Sequence, residues 1–274
     1  MKVYIMTDLE GVAGVLDFAN WCTPESRFYE MGREFLTMEV NAAVEGFCRG
    51  GATEVVVADG HGHGAMNPRL LDSRAQLARG GRSSEILREG FDAVASVGQH
   101  AKSRSELAHI AHTQDFSWFE LSINGMAIGE FGQLVMIASP LGVRTIFGSG
   151  DEAFTKEARE LVPGIETVSV KRGTTPGRGD ECNADAYARR NLGAIHYQPE
   201  RARQLICAGA ERAIRRAKAE KGFGIFPLRP PFEQVTILRA KGDQPMRIGR
   251  VCHPTDVIAL MNAPCEFKPM KEGA

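Results

Sequence analysis

Carboxylates and imidazoles recur in the first half of this chain at the points where hydrophobic runs stop. Asp8 and Glu10 follow Val3-Tyr4-Ile5-Met6-Thr7, Asp59 and His61 follow Val55-Val56-Val57-Ala58, and His100 follows Ala93-Val94-Ala95-Ser96-Val97. Glu130 comes just after another apolar run, Met126-Ala127-Ile128. Neutral imidazole with carboxylate is the usual donor set for zinc and related divalent ions in hydrolytic sites. Two ions about 3.5–4 Å apart need a bridging carboxylate plus further His, Asp or Glu donors, and this set can supply them. Five of the seven histidines (His61, His63, His100, His109 and His112) fall in the window that ends at Glu130. No cysteine falls within it, which argues against a closed structural zinc site.

Each of these residues also has a plainer reading. A histidine at a strand end is often a hydrogen-bonded loop residue, and His63, His109, His196 and His253 are read that way. Asp59 would either orient a histidine or shape a turn, Glu130 alone would be an ordinary surface carboxylate, and Asp8-x-Glu10-Gly11 alone would be an acidic turn. His61 and His100 stand apart because both come directly after strands expected to share one edge with Asp8 and Glu10.

The elements that must position these groups follow an α/β alternation. Phe28, Met31, Phe35, Met38, Ala42 and Phe47 recur at helical spacing behind Thr23 as N-cap and Pro24 at the first helical position, and Gly50-Gly51 closes the helix. With the strand at 54–58 this makes a right-handed parallel βαβ unit, and in such sheets ligands collect at the carboxyl ends of strands. Asn124-Gly125 between two apolar runs predicts a hairpin, with Glu130 just beyond it. A helix from about Gly132, a strand at Thr145–Phe147 and a helix at Glu152–Leu161 follow. Arg172 to Asp180 is rich in Gly and Pro and reads as an exposed loop or hinge. An amphipathic helix from Pro199 to Lys221, a strand pair at Val235–Leu238 and Ile248–Val251, and a short helix after Thr255 complete the chain. The expected fold class is α/β: a mixed, mostly parallel sheet with flanking helices, plus a smaller C-terminal α/β portion. The expected division is 1–172 as metal-binding core and 173–274 as insertion loop and C-terminal portion.

At 274 residues and 43% hydrophobic, the chain can bury one large core, or a core with a smaller unit attached. A net charge of -1 leaves no basic surplus for a phosphate backbone, so nucleic acid is not an expected partner. The six cysteines are scattered without a C-x-x-C pair, as expected of free thiols in a reducing cytoplasm. Asp8 interrupts the first apolar run too soon for a signal peptide, and no stretch approaches the roughly 20 apolar residues of a membrane span. A cytoplasmic protein without membrane association is expected.

Taken together and in order, Asp8-x-Glu10-Gly11, Asp59-x-His61, Gly98-x-His100, His112-Thr113, and Gly129-Glu130 after Asn124-Gly125 resemble the zinc D-aminopeptidases of the bacterial dipeptide-transport operon, the DppA type. The resemblance runs to about Val170, through Gly150-Asp151-Glu152 and Glu157 to Pro163, and fades beyond Lys171, where residues 172–197 look like an insertion. The stretch from His100 to His112 looks about one residue longer than the family pattern. The resemblance implies an aminopeptidase with two Zn2+ per chain, or Mn2+ or Co2+ in their place. It also implies a homo-oligomer, a decamer of stacked rings with sequestered sites. By the same resemblance Asp8 bridges the metals, Glu10 and His100 complete one site, His61 and Glu130 the other, and His112 is the catalytic histidine outside the metal shells.

The reaction expected is metal-dependent hydrolysis of a short peptide or amide next to a free N-terminal amine, with the D configuration left open. The alternatives are a dinuclear phosphoesterase, against which stand the missing P-loop and only Arg172 and Arg178 as phosphate clamps, and a non-enzymatic metal-binding protein. The loop from Arg172 to Glu181 is the expected element of substrate selection, because it lies where the chain leaves the family pattern.

Overall fold

The computed structural model describes residues 1–270; residues 271–274, at the end of the expected C-terminal portion, lie outside the described residues. Strand β1 (Lys2–Thr7) leads through a short helix α1 (Phe18–Trp21) and a long helix α2 (Tyr29–Arg49) to β2 (Glu54–Ala58), and β3 (Ala75–Ala78) and α3 (Ser83–Leu87) lead on to β4 (Ala93–Gln99). The hairpin β5 (Trp118–Ile123) and β6 (Met126–Ile128) precedes α4 (Glu130–Ala138), β7 (Arg144–Asp151), α5 (Glu152–Leu161) and β8 (Glu166–Gly173). Then come α6 (Ala184–Ala188), β9 (Ala194–His196), α7 (Pro199–Ala219), β10 (Phe232–Leu238), β11 (Arg247–His253), α8 (Val257–Asn262) and β12 (Phe267–Pro269).

Seven strands form the main sheet in the order β3-β2-β1-β4-β7-β8-β9, all parallel except β9, which runs antiparallel to β8. The chain leaves β1 toward β2 on one side and returns to β4 on the other, so the switch point of the sheet lies between β1 and β4. Their carboxyl ends are where such a sheet holds a ligand.

On one face α2 and α7 pack through Val40, Phe47, Ile206, Ala210 and Ile214 into the core that includes Val3, Ile5, Ala95 and Val97. The two helices approach closely because a Cβ at Gly46 would sit 2.2 Å from the carbonyl oxygen of Cys207. On the other face Tyr4, Val56 and Val94 meet Leu87 of α3 and Leu134 and Ala138 of α4. Over α4 lies a second, five-stranded antiparallel sheet, β12-β11-β10-β5-β6, joined to it by Leu121, Ile123, Met136, Phe232 and Leu260. Among the described residues no helix is long and apolar enough to cross a membrane.

Three local expectations change. The Asn124-Gly125 hairpin is present, with φ of 50° and 78° at its two turn residues as a type I′ turn requires. It belongs to the second sheet and not the first: β5 pairs with β10, so strands from both sides of residue 172 share one sheet. The long helix begins at Tyr29 and not at Thr23, because Thr23 and Ser26 bond to each other (2.9 Å) and Ser26 donates to Ala19 O, closing a turn there. Asp17 instead caps the short α1. Strands β3, β8 and β9 went unanticipated: β3 and β9 are short, and β8 alternates polar residues with Val168 and Val170.

Candidate metal centre

Asp8 and Glu10 lie in the turn after β1, pressed against the end of β4. The Gly11 amide donates to Gly98 O at 2.7 Å. A Cβ on Gly98, whose φ is +76°, would stand 2.0 Å from Asp8 O. Only glycine permits that approach, and it brings Asp8 and His100 together.

Two imidazoles meet the carboxylates. Nε2 of His61 lies 2.8 Å from Cys22 O, and its Nδ1 is 3.2 Å from both Asp8 Oδ1 and Glu10 Oε2. Nδ1 of His100 lies 2.9 Å from Ala101 O, and its Nε2 is 3.1 Å from Asp8 Oδ2 and 3.6 Å from Glu130 Oε1. A carbonyl can only accept, so the nitrogen facing it carries the hydrogen. In the neutral ring the other nitrogen then turns a lone pair toward carboxylates, which is repulsive unless a proton or a metal cation lies between. Backbone carbonyls commonly orient metal-binding histidines in this way. Glu10 Oε2 and His100 Nε2 are buried with no hydrogen-bond partner. Two three-donor sets each lie within 4.8 Å: Asp8, Glu10 and His100, and His100, His112 and Glu130. The residues present fit divalent metal.

His112 is also at the centre. Its Nδ1–H donates to Ile110 O at 2.8 Å, and its ring stacks on that of His100, with centroids 3.9 Å apart and planes 15° apart. The remaining histidines stand elsewhere. His109 is buried with its Nε2–H donating to Leu16 O and its ring edge-on to His196, and His63 is exposed. Asp59 accepts from the amides of Ala65 and Met66 and pairs with Arg79, so it shapes the loop that carries His61.

The D-aminopeptidase family profile matches residues 1–240. This chain belongs to the D-aminopeptidase family. The D-aminopeptidase of Bacillus subtilis (strain 168) is 31% identical over 199 residues, spanning 70% of this chain and 71% of that protein. Among solved structures, the Zn-dependent D-aminopeptidase DppA from Bacillus subtilis, a self-compartmentalizing protease, shares the fold. Its TM-score is 0.73 at 24% identity, over 87% of this chain and 81% of that one.

In this member of the family the donor charges are strongly coupled. Burial alone would raise Asp8, yet His100 and His61 hold its carboxyl well below the usual range. Burial and the Asp8 charge raise Glu10, and burial pushes Glu130 up to about 7. Burial disfavours the charged imidazoles, but Glu10 and Asp8 overcome it at His61, which rises to about 12. Glu130 and Asp8 likewise raise His100 to about 10. Without metal, protons therefore fill the spaces between rings and carboxylates. His112 behaves oppositely: burial, with the neighbouring His100 charge, holds it down to about 3, so its Nε2 is unprotonated at neutral pH.

Sequence reasoning missed three contributors. Lys171 is fully buried at the carboxyl end of β8, and its Nζ donates to Glu10 O and, at 3.4 Å, to Val15 O, bracing the turn that holds Glu10. It too follows a hydrophobic run, Val168-Ser169-Val170, but lysine is not a metal-ligand type, so its position carries no signal of a metal site. Gln99 Nε2 donates to Asp8 Oδ2 at 3.1 Å, and the Gln114 amide donates to Glu130 Oε1 at 2.6 Å. The cleft beside Asp8 and Glu130, about 330 Å³, is lined by Met6, Ser83, Gln114, Gln133, Leu134 and Ile137 among others. The loop from Arg172 to Glu181 is not part of that lining.

Proposed function

We propose that this chain is a zinc-dependent aminopeptidase with two metal ions per chain, hydrolysing short peptides or amides that carry a free N-terminal D-amino acid. Mn2+ or Co2+ would serve in place of zinc. The observation that carries the metal assignment is the pair of imidazoles, each fixed by a backbone carbonyl so that its free nitrogen faces buried carboxylates. Asp8 offers one oxygen to each side, Oδ1 toward His61 and Oδ2 toward His100, which suits a bridging role. Glu10, His61, His100 and Glu130 supply the other donors. The metals would polarise the scissile carbonyl and lower the pKa of the attacking water.

His112 works beside the donors. With Nδ1–H committed to Ile110 O, the Nε2 lone pair is the atom that accepts a proton during attack, and the stacked ring holds it in place. Gln114 fixes Glu130 from the backbone, and Gln99 fixes Asp8. Met6, Leu134 and Ile137 give the cleft an apolar wall. A homo-oligomer is the assembly expected, on the ground that the Bacillus subtilis relative is self-compartmentalizing, and a decamer of stacked rings is the form that the family resemblance implies.

Elemental analysis of protein purified without a metal-affinity tag tests this reading, with two divalent ions per chain expected. Chelation should abolish cleavage of D-aminoacyl amides, and zinc should restore it. Loading metal-free protein in weak buffer at neutral pH should release protons from His61 and His100. Full activity in metal-free protein would overturn the assignment.

A further inference from the structure

The segment that carries His112 has an uncommon backbone. Arg104, Leu107, Ile110 and Gln114 all have φ between 51° and 67°, in the left-handed region that L side chains rarely adopt. For the β-branched Ile110 this is a pronounced departure. Such conformations persist where the surroundings over-determine them. Around Arg104, Glu106 and Ile110 the surroundings come from residues 174–191, a stretch expected to be an insertion but lying within the 1–240 that the family profile matches, whereas Gln114 is held by Glu130 and Gln133.

The contacts are specific. Tyr187 Oη accepts from the Arg104 amide at 2.7 Å. The Arg104 guanidinium forks onto Asp180 at 2.7 and 2.9 Å. Glu106 accepts from the Gly177 amide at 2.9 Å. Asn191 O accepts from the Ile110 amide at 2.8 Å, and the carbonyl of that same Ile110 receives Nδ1–H of His112. Two hydrogen bonds through one residue thus connect residues 174–191 to the imidazole. Behind them Arg239, buried at 1% exposure, lies 3.7 Å over the Tyr187 ring and donates to Gly179 O at 2.8 Å and Cys182 O at 3.0 Å. A buried guanidinium held by carbonyls and a ring face fixes the loop that supplies these contacts.

We infer that residues 174–191, locked by Arg239, brace the segment 104–114, and that Tyr187 is a positioning residue for His112. This rests on the proposed role of His112. It replaces substrate selection as the function of residues 174–191: none of them lines the cleft, and the brace sets where Nε2 of His112 stands, with Gln114 at the far end of the braced segment held separately by Glu130 and Gln133.

The test uses the full-length protein, metal-loaded for kinetics and metal-free for the NMR readout. Tyr187→Phe deletes the hydroxyl and keeps the ring beneath Arg239. It should lower kcat roughly 5- to 20-fold, because small misplacement of a reacting group is costly. KM, metal content and the relative rates on two substrates with different side chains should stay at wild-type values. In the metal-free protein the ring-nitrogen NMR shifts of His112 should move. Asp180→Asn, at a more exposed position, should give a smaller change in the same direction and serves if Tyr187→Phe folds poorly. Unchanged kcat and unchanged His112 shifts, with His112→Ala inactive, would overturn the brace. A changed substrate preference at constant kcat would also overturn it, making the insertion a selectivity element. If His112→Ala keeps full kcat, the role of His112 fails, and the ring-nitrogen shifts still decide whether the insertion positions that side chain.

Discussion

Asp8 and His100 each stand one residue beyond the end of a strand, β1 and β4, that pair through the middle of a seven-stranded sheet. His112 stands between Gln99 and Trp118, in a stretch with no helix or strand, although its ring touches that of His100. Asp8 and His100 are thus placed by ladder register, which the packed core enforces, and His112 by a loop that another loop holds. Ladder register resists change at any one distant contact. A braced loop does not, since each of its hydrogen bonds is one side chain or one carbonyl deep. The two parts of one site should therefore fail in different ways.

The largest expected effect is at the strand end. Asp8→Ala should reduce activity by more than about 10³-fold and remove metal from both positions, read by elemental analysis, because one carboxylate faces both imidazoles. Next is His112→Ala, with kcat lowered roughly 10² to 10⁴-fold and both metals retained. Metal loss in that variant would make His112 a ligand, as its place within 4.8 Å of His100 and Glu130 donor atoms permits, and would erase the distinction between the two regions.

A smaller effect belongs to Lys171→Met, which removes the ammonium holding the Glu10 turn. Metal affinity, measured by chelator competition on protein of native circular dichroism, should fall about 10- to 100-fold, with Lys171→Arg partly restoring it. Tighter binding in Lys171→Met would mean that the lysine acts only through its charge.

The smallest effect on catalysis should come from His109, which burial, with Lys171 and His196, holds down to about 2. The unfolded chain takes up this proton near pH 6.5 and the folded chain only near pH 2, so stability is lost as pH falls below about 6.5, by up to about 1.4 kcal/mol per pH unit. His109→Gln should flatten that loss between about pH 6 and 4 in denaturant titrations and keep kcat within about twofold. A dead His109→Gln that still binds metal would move the catalytic role to His109.

What was legible in the sequence follows the same division. Asp8, Glu10, His61 and His100 could be read because strand hydrophobicity announces where each strand ends, and the βαβ rule makes those ends share an edge. Glu130 was findable because it stands two positions beyond the strand that the Asn124-Gly125 turn opens. The partners that orient the histidines were not, because they are backbone carbonyls of Cys22, Ala101 and Ile110, which carry no side-chain signature. The role of residues 174–191 was also out of reach, since Tyr187 and Arg239 act through contacts 83 and 60 positions away in the chain. The hairpin itself was foreseen, but its sheet was not, because pairing with β10 depends on tertiary packing and not on local pattern.

That hairpin also bears on how the protein ages. Asn-Gly is the dipeptide most prone to deamidation, through attack of the glycine amide nitrogen on the asparagine side chain. Here the side chain is engaged on both ends: Nδ2 donates to Arg229 O at 3.2 Å and Pro231 O at 3.1 Å, and Oδ1 accepts from the Glu233 amide at 2.8 Å. Held this way, Asn124 is withdrawn from the cyclising geometry for as long as the second sheet is folded. Once it reacted, the new carboxylate would face two carbonyl oxygens in a turn six residues before Glu130. Chemical wear at this turn would then act first on the pairing of β5 with β10, and shelf life would be set by the stability of a sheet that contributes no metal donor of its own.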